Sequence, residues 1–173
     1  GSVTLVGDIA QATGPFAPTS WNDILRHLPS HWQSREEELT IGYRTPAEVM
    51  ELAAKVLEKT KLGLQPPKPV RSSGQAPNII DIHLNDLPTE VAKLVTNEQQ
   101  EFPDALVAVV APRSLLDVIA NAFEEAQINY GLAGGRALEA PVALLSADVV
   151  KGLEFDNVIV VEPNEIVTEI THG

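Results

Sequence analysis

Apolar and polar positions along the chain change period repeatedly, and each change predicts an element. Val3-Thr4-Leu5-Val6, ending at Gly7-Asp8, has the run of a buried strand that delivers a loop. Gly14-Pro15-Phe16-Ala17-Pro18 predicts a loop, residues 20–28 a short helix, and the polar residues 29–38 another loop. Leu39-Thr40-Ile41 predicts a strand opening onto Gly42-Tyr43-Arg44-Thr45-Pro46. A strong helix signal follows: Thr45 to cap, Pro46 at the first helical position and Glu48 where a capping box wants it. Val49, Leu52, Ala53, Val56 and Leu57 then share one face, Lys55, Lys59 and Lys61 suit the helix dipole, and Gly63 is a stop.

Residues 65–77 carry four prolines and predict an irregular surface excursion. Residues 78–83 read as a strand, and residues 87–100 as a helix facing inward through Leu87, Val91, Leu94 and Val95. Residues 105–110 form an apolar strand, and residues 114–126 an amphipathic helix through Leu115, Ile119, Ala122, Phe123 and Ala126. Residues 131–135 predict a turn, and residues 141–145 and 157–161 two buried strands around a polar loop. Strands that are apolar without alternation, separated by helices, predict an α/β fold with a mainly parallel sheet flanked by helices.

Composition narrows this picture. The 173 residues, 44% hydrophobic and 21% charged, suit one globular domain spanning residues 1–173. Aromatics are 5%, which leaves the core to Val, Leu, Ile and Ala. With no cysteine there is no disulfide framework and no thiolate zinc site, and a reducing, cytoplasmic setting is expected. No run of about 18 apolar residues predicts a membrane span, and no signal peptide is visible. His27, His31, His83 and His172 share no ligand spacing, so no protein-held metal is expected. Glu36-Glu37-Glu38 reads as a solvated run. The formal net charge is −12, and the 12 Lys and Arg are scattered. Strong independent binding of nucleic acid wants a basic stripe instead.

Three loops at predicted strand ends carry conspicuous polar residues, where parallel α/β sheets place their working groups. They are Gly7-Asp8-Ile9-Ala10-Gln11, Gly42-Tyr43-Arg44-Thr45-Pro46 and Lys151-Gly152-Leu153-Glu154-Phe155-Asp156. Singly, each has a plain structural reading as a turn, a packed tyrosine beside a solvated arginine, or a loop. Together and in this order, L-V-G-D-x-x-Q, Y-R-T-P and K-G-L-E-F-D resemble motifs III, IV and V of the UvrD/Rep-type superfamily 1 helicases. The resemblance runs from Val3 to Val161, and the K-G-L-E-F-D segment is its most specific part.

That resemblance implies the second RecA-like (2A, C-terminal) lobe of an ATP-dependent DNA helicase or translocase, a three-layer fold without the phosphate-binding loop. It implies ATP with Mg2+ as cofactor, completed between this lobe and an N-terminal RecA-like lobe that holds the phosphates. By the same resemblance Arg44 contacts the γ-phosphate, Tyr43 stacks on adenine, Gln11 contacts the γ-phosphate beside Asp8, Glu154 reaches the ribose, and Gly152 permits close backbone approach. An arginine suits the first role because guanidinium stays charged and meets phosphate at two points, and a cation there stabilises charge developing on the transferred group.

The departures point to a branch. After Gln11 comes Ala12-Thr13-Gly14-Pro15-Phe16, without the aromatic stretch that stacks DNA bases in the family. Phe16 and Trp21 are candidate replacements, with packing as their plainer role. Ser146 and Asp148 stand where the family has Thr and His, and Asp148 repels phosphate. No G-x-x-x-x-G-K-[ST] and no V-A-x-T-R-A motif VI occurs, so the chain alone is expected not to hydrolyse ATP. About a hundred residues separate Arg44 from Lys151, too few for the 2B insertion, and this together with D-I-A-Q-A-T-G resembles the HelD/helicase IV branch. The partners implied are the N-terminal lobe and single-stranded DNA. The alternative is an ATPase factor that acts on RNA polymerase and releases it from nucleic acid. A scaffold or protein-binding lobe is the third reading.

Overall fold

Val107-Ala108-Val109-Val110 and Val142-Ala143-Leu144-Leu145 are apolar and buried at every position. A strand covered on both faces has no use for alternation. Around these two strands the computed structural model builds a mixed α/β fold with parallel sheets flanked by helices. It describes residues 3–7, 18, 20–29, 35–37, 39–59, 67–132 and 139–172, with the side chains of 56–59 and 170–172 outside the description. The elements in chain order are α1 (Trp21–Leu25), β1 (Ile41–Gly42), α2 (Ala47–Lys59), β2 (Lys68–Pro69), α3 (Leu87–Glu101), β3 (Val107–Val110), α4 (Arg113–Glu125), β4 (Tyr130–Leu132), β5 (Val142–Leu145), β6 (Asn157–Val160) and α5 (Pro163–His172). The residues read above as one domain gather into two compact units, Gly1–Ile80 and Asp81–Gly173.

The second unit holds a four-stranded sheet in the order β4-β5-β3-β6, every pair parallel. Val109 aligns with Leu144 on one side and Ile159 on the other. On one face, Val107, Val109, Val142, Leu144 and Ile159 meet Leu87, Val91 and Val95 of α3 and Ile119 and Phe123 of α4. Both helices were legible from their period, and their buried positions fall at the spacing of one helical face. On the other face, Ala143 and Leu145 are covered by Val150, Leu153 and Phe155 from the connection between β5 and β6. Phe123 also meets Tyr130 edge to face, with ring centres 5.4 Å apart.

The end of α4 follows from local geometry. Gln127 adopts φ 57, and Ile128 N–H donates to the Phe123 carbonyl while Gln127 N–H donates to Glu124. This pair of bonds is a Schellman motif, completed by burial of Ile128. Its left-handed position is usually glycine, and here glutamine fills it.

The first unit is thinner, and none of its described residues is buried. Ser20 caps α1 in a capping box with Asp23, and α1 ends at Leu25 rather than at residue 28. β1 and β2 form a two-stranded parallel sheet, with Ile41 opposite Lys68 and Gly42 opposite Pro69. The apolar face predicted for α2 stays open, Val49 at 42% and Leu52 at 40% exposure, because no broad sheet among the described residues of this unit lies against it.

Several expectations are corrected. Val3-Thr4-Leu5-Val6 and residues 78–83 form no strand: no described strand pairs with either, and Val6 is 85% exposed. An apolar run becomes a strand only where a neighbour accepts its hydrogen bonds. The proline-rich residues 65–77 contain β2, and the expected turn at 131–135 begins as edge strand β4. β6 is half-buried on one face and exposed on the other, with Val158 and Val160 at 55% exposure. Helix α5 was not expected at all, although Pro163 and Glu165 are helix-start residues.

Truncating Phe123, fully buried between α4 and the sheet, to alanine is expected to cost about 3–5 kcal/mol in a denaturant titration. Val118→Ala, on the exposed side of α4, is expected to stay within about 0.5 kcal/mol. Equal effects would refute this placement of the core.

Candidate functional site

The first candidate loop lies within Gly1–Ile80. β1 runs into a bend over residues 43–45 and then into α2, so Tyr43 and Arg44 sit at the carboxyl end of a parallel strand and ahead of a helix. Tyr43 is 73% exposed, which excludes the packed-tyrosine reading and leaves its ring open for stacking. Arg44 is exposed as well. Gln11 and Asp8 lie outside the described residues, as does Phe16. Trp21 packs locally: a Cβ built on Gly7 would stand 3.4 Å from its ring.

Helix α2 begins at Ala47, one residue after the expected start, and Glu48 makes no capping box. Its carboxylate instead accepts from the Ser72 hydroxyl, from the N–H and hydroxyl of Ser73 at 3.1 Å each, and from Gly74 N–H at 3.0 Å. Gly74 has φ +74, a left-handed turn that glycine adopts without strain. The Ser72 hydrogen bond above all, with its own N–H and those of Ser73 and Gly74, lowers the Glu48 pKa from 4.5 to about 2. Ala47 N–H donates to the Arg71 carbonyl at 2.8 Å, so residues 71–74 bind the head of α2 through both backbone and side chain.

The second candidate loop lies within Asp81–Gly173 and joins β5 to β6. Its K-G-L-E-F-D residues alternate: Leu153 and Phe155 are half-buried against Ala143 and Leu145, while Lys151, Glu154 and Asp156 are exposed. Glu154 thus stands outward on a loop pinned from both sides. Gly152 carries φ +79 with no atom within 4 Å of a built Cβ. The glycine here answers to the backbone turn rather than to a close neighbour. Asp156 accepts from Leu106 N–H at 2.9 Å and fixes the exit of the loop beside β3.

Asp148 does not stand as an isolated negative charge. Arg113, at the head of α4, meets its carboxylate at 2.6 Å. A hydrogen bond from Ser146, and then the Arg113 guanidinium, lower the Asp148 pKa. Glu169 of α5 accepts from Arg113 N–H at 3.1 Å, which supplies the cap that Pro112 lacks. Sequence reasoning missed this cluster, because its members lie 35 and 56 residues apart.

Tyr43 and Arg44 therefore share one loop, and Gly152 and Glu154 another. Among the described residues no group of three or more His, Cys, Asp or Glu could hold a metal ion, and no helix is long and apolar enough to cross a membrane. No model of a known protein family matches the chain, and no curated protein matches it.

Two titrations probe these loops. Glu48's depressed pKa means that its tie to residues 72–74 is fully present above the ordinary 4.5 and lost as pH falls through about 2. The amide resonances of Ser73 and Gly74 are expected to titrate with a midpoint near that lower value, and a midpoint at the ordinary one would refute the tie. Asp148's depressed pKa likewise stabilises above the ordinary 3.8 and less as pH falls below it. Arg113→Ala is expected to raise it only partway by NMR, because the Ser146 hydrogen bond remains.

Proposed function

We propose that the chain is the second, RecA-like motor lobe of an ATP-dependent helicase or translocase resembling the UvrD/Rep type. On this reading the loop after β1 presents Tyr43 and Arg44 to a nucleotide bound by another lobe, and the roles of Gln11 and Glu154 rest on the resemblance alone. The observation that carries the proposal is the loop between β1 and α2, where an exposed tyrosine ring and an exposed guanidinium are adjacent at a parallel strand's carboxyl end. The residues of this loop fit the group: an aromatic face for a base and a permanent cation for phosphate oxygens.

ATP with its Mg2+ supplies the phosphoryl group whose transfer to water drives the motor. Arg44 would stabilise the charge that develops on the transferred group, and its fixed positive charge needs no proton movement to do so. Tyr43 would orient the base by stacking, and Glu154 would accept hydrogen bonds from the sugar. By the same resemblance, Mg2+ would be held with the phosphates on the other lobe. The parallel α/β architecture supports the RecA-like, three-layer reading without being specific to it.

A second reading is an ATPase factor that works on RNA polymerase. The net charge of −12 and the engagement of Arg113 by Asp148 favour it, since both reduce attraction for nucleic-acid phosphates. Strand separation on duplex DNA, set against pull-down with RNA polymerase, discriminates the two.

In a protein that includes the phosphate-binding lobe, Arg44→Ala is expected to slow ATP hydrolysis roughly a thousandfold or more while ATP still binds. Near-normal turnover in that variant would overturn the motor reading.

A further inference from the structure

The segment from Lys68 to Gly74 is fastened to both flanks of the loop that bears Tyr43 and Arg44. On the strand side, Lys68 N–H donates to the Thr40 carbonyl at 2.7 Å and Val70 N–H to the Gly42 carbonyl at 3.1 Å. On the helix side, Ala47 N–H donates to the Arg71 carbonyl at 2.8 Å. One residue further on, the Glu48 carboxylate takes hydrogen bonds from Ser72, Ser73 and Gly74. Residues 43–46 therefore span two points, Gly42 and Ala47, that are both held by one crossing segment.

We infer that Glu48 is a positioning residue: by closing residues 68–74 over the head of α2, it sets the direction in which the 43–46 loop presents Arg44. The alternative use of Glu48, as a helix cap, would leave the crossing segment tied to α2 only by backbone, with the Ser73 hydroxyl turned to the Gln75 carbonyl at 3.0 Å and Gly74 N–H to the Ser72 hydroxyl at 3.3 Å. Hydrogen bonds to an ionised carboxylate are stronger than neutral ones, and two of these come from successive amides brought together by the left-handed Gly74. A carboxamide replaces this arrangement only in part, because the N–H groups of Ser73 and Gly74 donate to different oxygens of Glu48. It keeps one oxygen and turns a donor toward one of those two N–H groups, which cannot accept, although a serine hydroxyl can. The loop need shift very little to matter, since about 1 Å of misplacement costs on the order of a hundredfold in rate.

The catalytic half of this inference rests on the reading of Arg44 above, so the test has two arms. In the chain itself, Glu48→Gln is expected to speed amide hydrogen exchange at residues 43–47 and 71–75 while residues 107–110 stay protected. Unchanged exchange at 43–47 overturns the inference, whatever the enzymology shows. Should Glu48→Gln not fold, Ser72→Ala, which removes one of the four bonds, is expected to give the same selective acceleration to a smaller degree.

In a protein that includes the phosphate-binding lobe, Glu48→Gln is expected to lower kcat about tenfold to a hundredfold, and to add nothing further in an Arg44→Ala background. An equal loss in both backgrounds means that Glu48 does not act through Arg44 and overturns the positioning role. Undiminished turnover in Arg44→Ala alone defeats the motor reading and leaves the exchange arm to decide the clamp.

Discussion

Every backbone amide and carbonyl removed from water must find a partner, and this requirement shapes the whole second unit. β3 and β5 are buried on both faces, so their polar groups are met edge to edge by neighbouring strands in parallel register. Parallel pairing in turn demands crossover connections, and those connections become the layers that keep the sheet dry. One crossover brings α4, which packs with α3 over one face. Another is the loop from β5 to β6, and it covers the opposite face with Leu153 and Phe155. The residues of greatest chemical interest in this unit are thus carried by a segment that the sheet needs for its own completion.

Charge is handled in the same economical way at the heads of two helices. A helix start leaves amides unsatisfied and favours nearby negative charge. At α4 the carboxylate comes from far away in sequence, as Glu169, while Asp148 holds the side chain of the first helical residue, Arg113. At α2 the acidic residue of the first turn reaches outward instead and gathers a distant serine–glycine loop. In both places a carboxylate joins segments that local sequence patterns treat as independent.

This explains what was legible beforehand. Helices α3 and α4 and strands β3 and β5 could be read directly, because burial imposes a period on consecutive residues and that period is local. Leu87, Val91, Ile119 and Phe123 were all placed inward and all are buried. The Tyr43-Arg44 and K-G-L-E-F-D loops could be located because strands and helices bracket them. The clamp on Glu48 was misread as a capping box, since T-x-x-E spacing signals a cap and nothing at positions 45–48 indicates Ser72 or Gly74. Val3 to Val6 misled for the converse reason: an apolar run states a preference, while a strand requires a neighbour. The Schellman ending at Gln127 escaped notice because glutamine is an unusual occupant of a left-handed position.

Leu153 and Phe155 carry a mechanical implication. Half-buried themselves, they root the segment bearing Glu154 against Ala143 and Leu145 of β5, and closely packed contacts resist local deformation. A pull or push applied at that carboxylate is therefore not absorbed by a yielding loop. It passes through two apolar anchors into β5, and from there the sheet transmits it as a stiff plate.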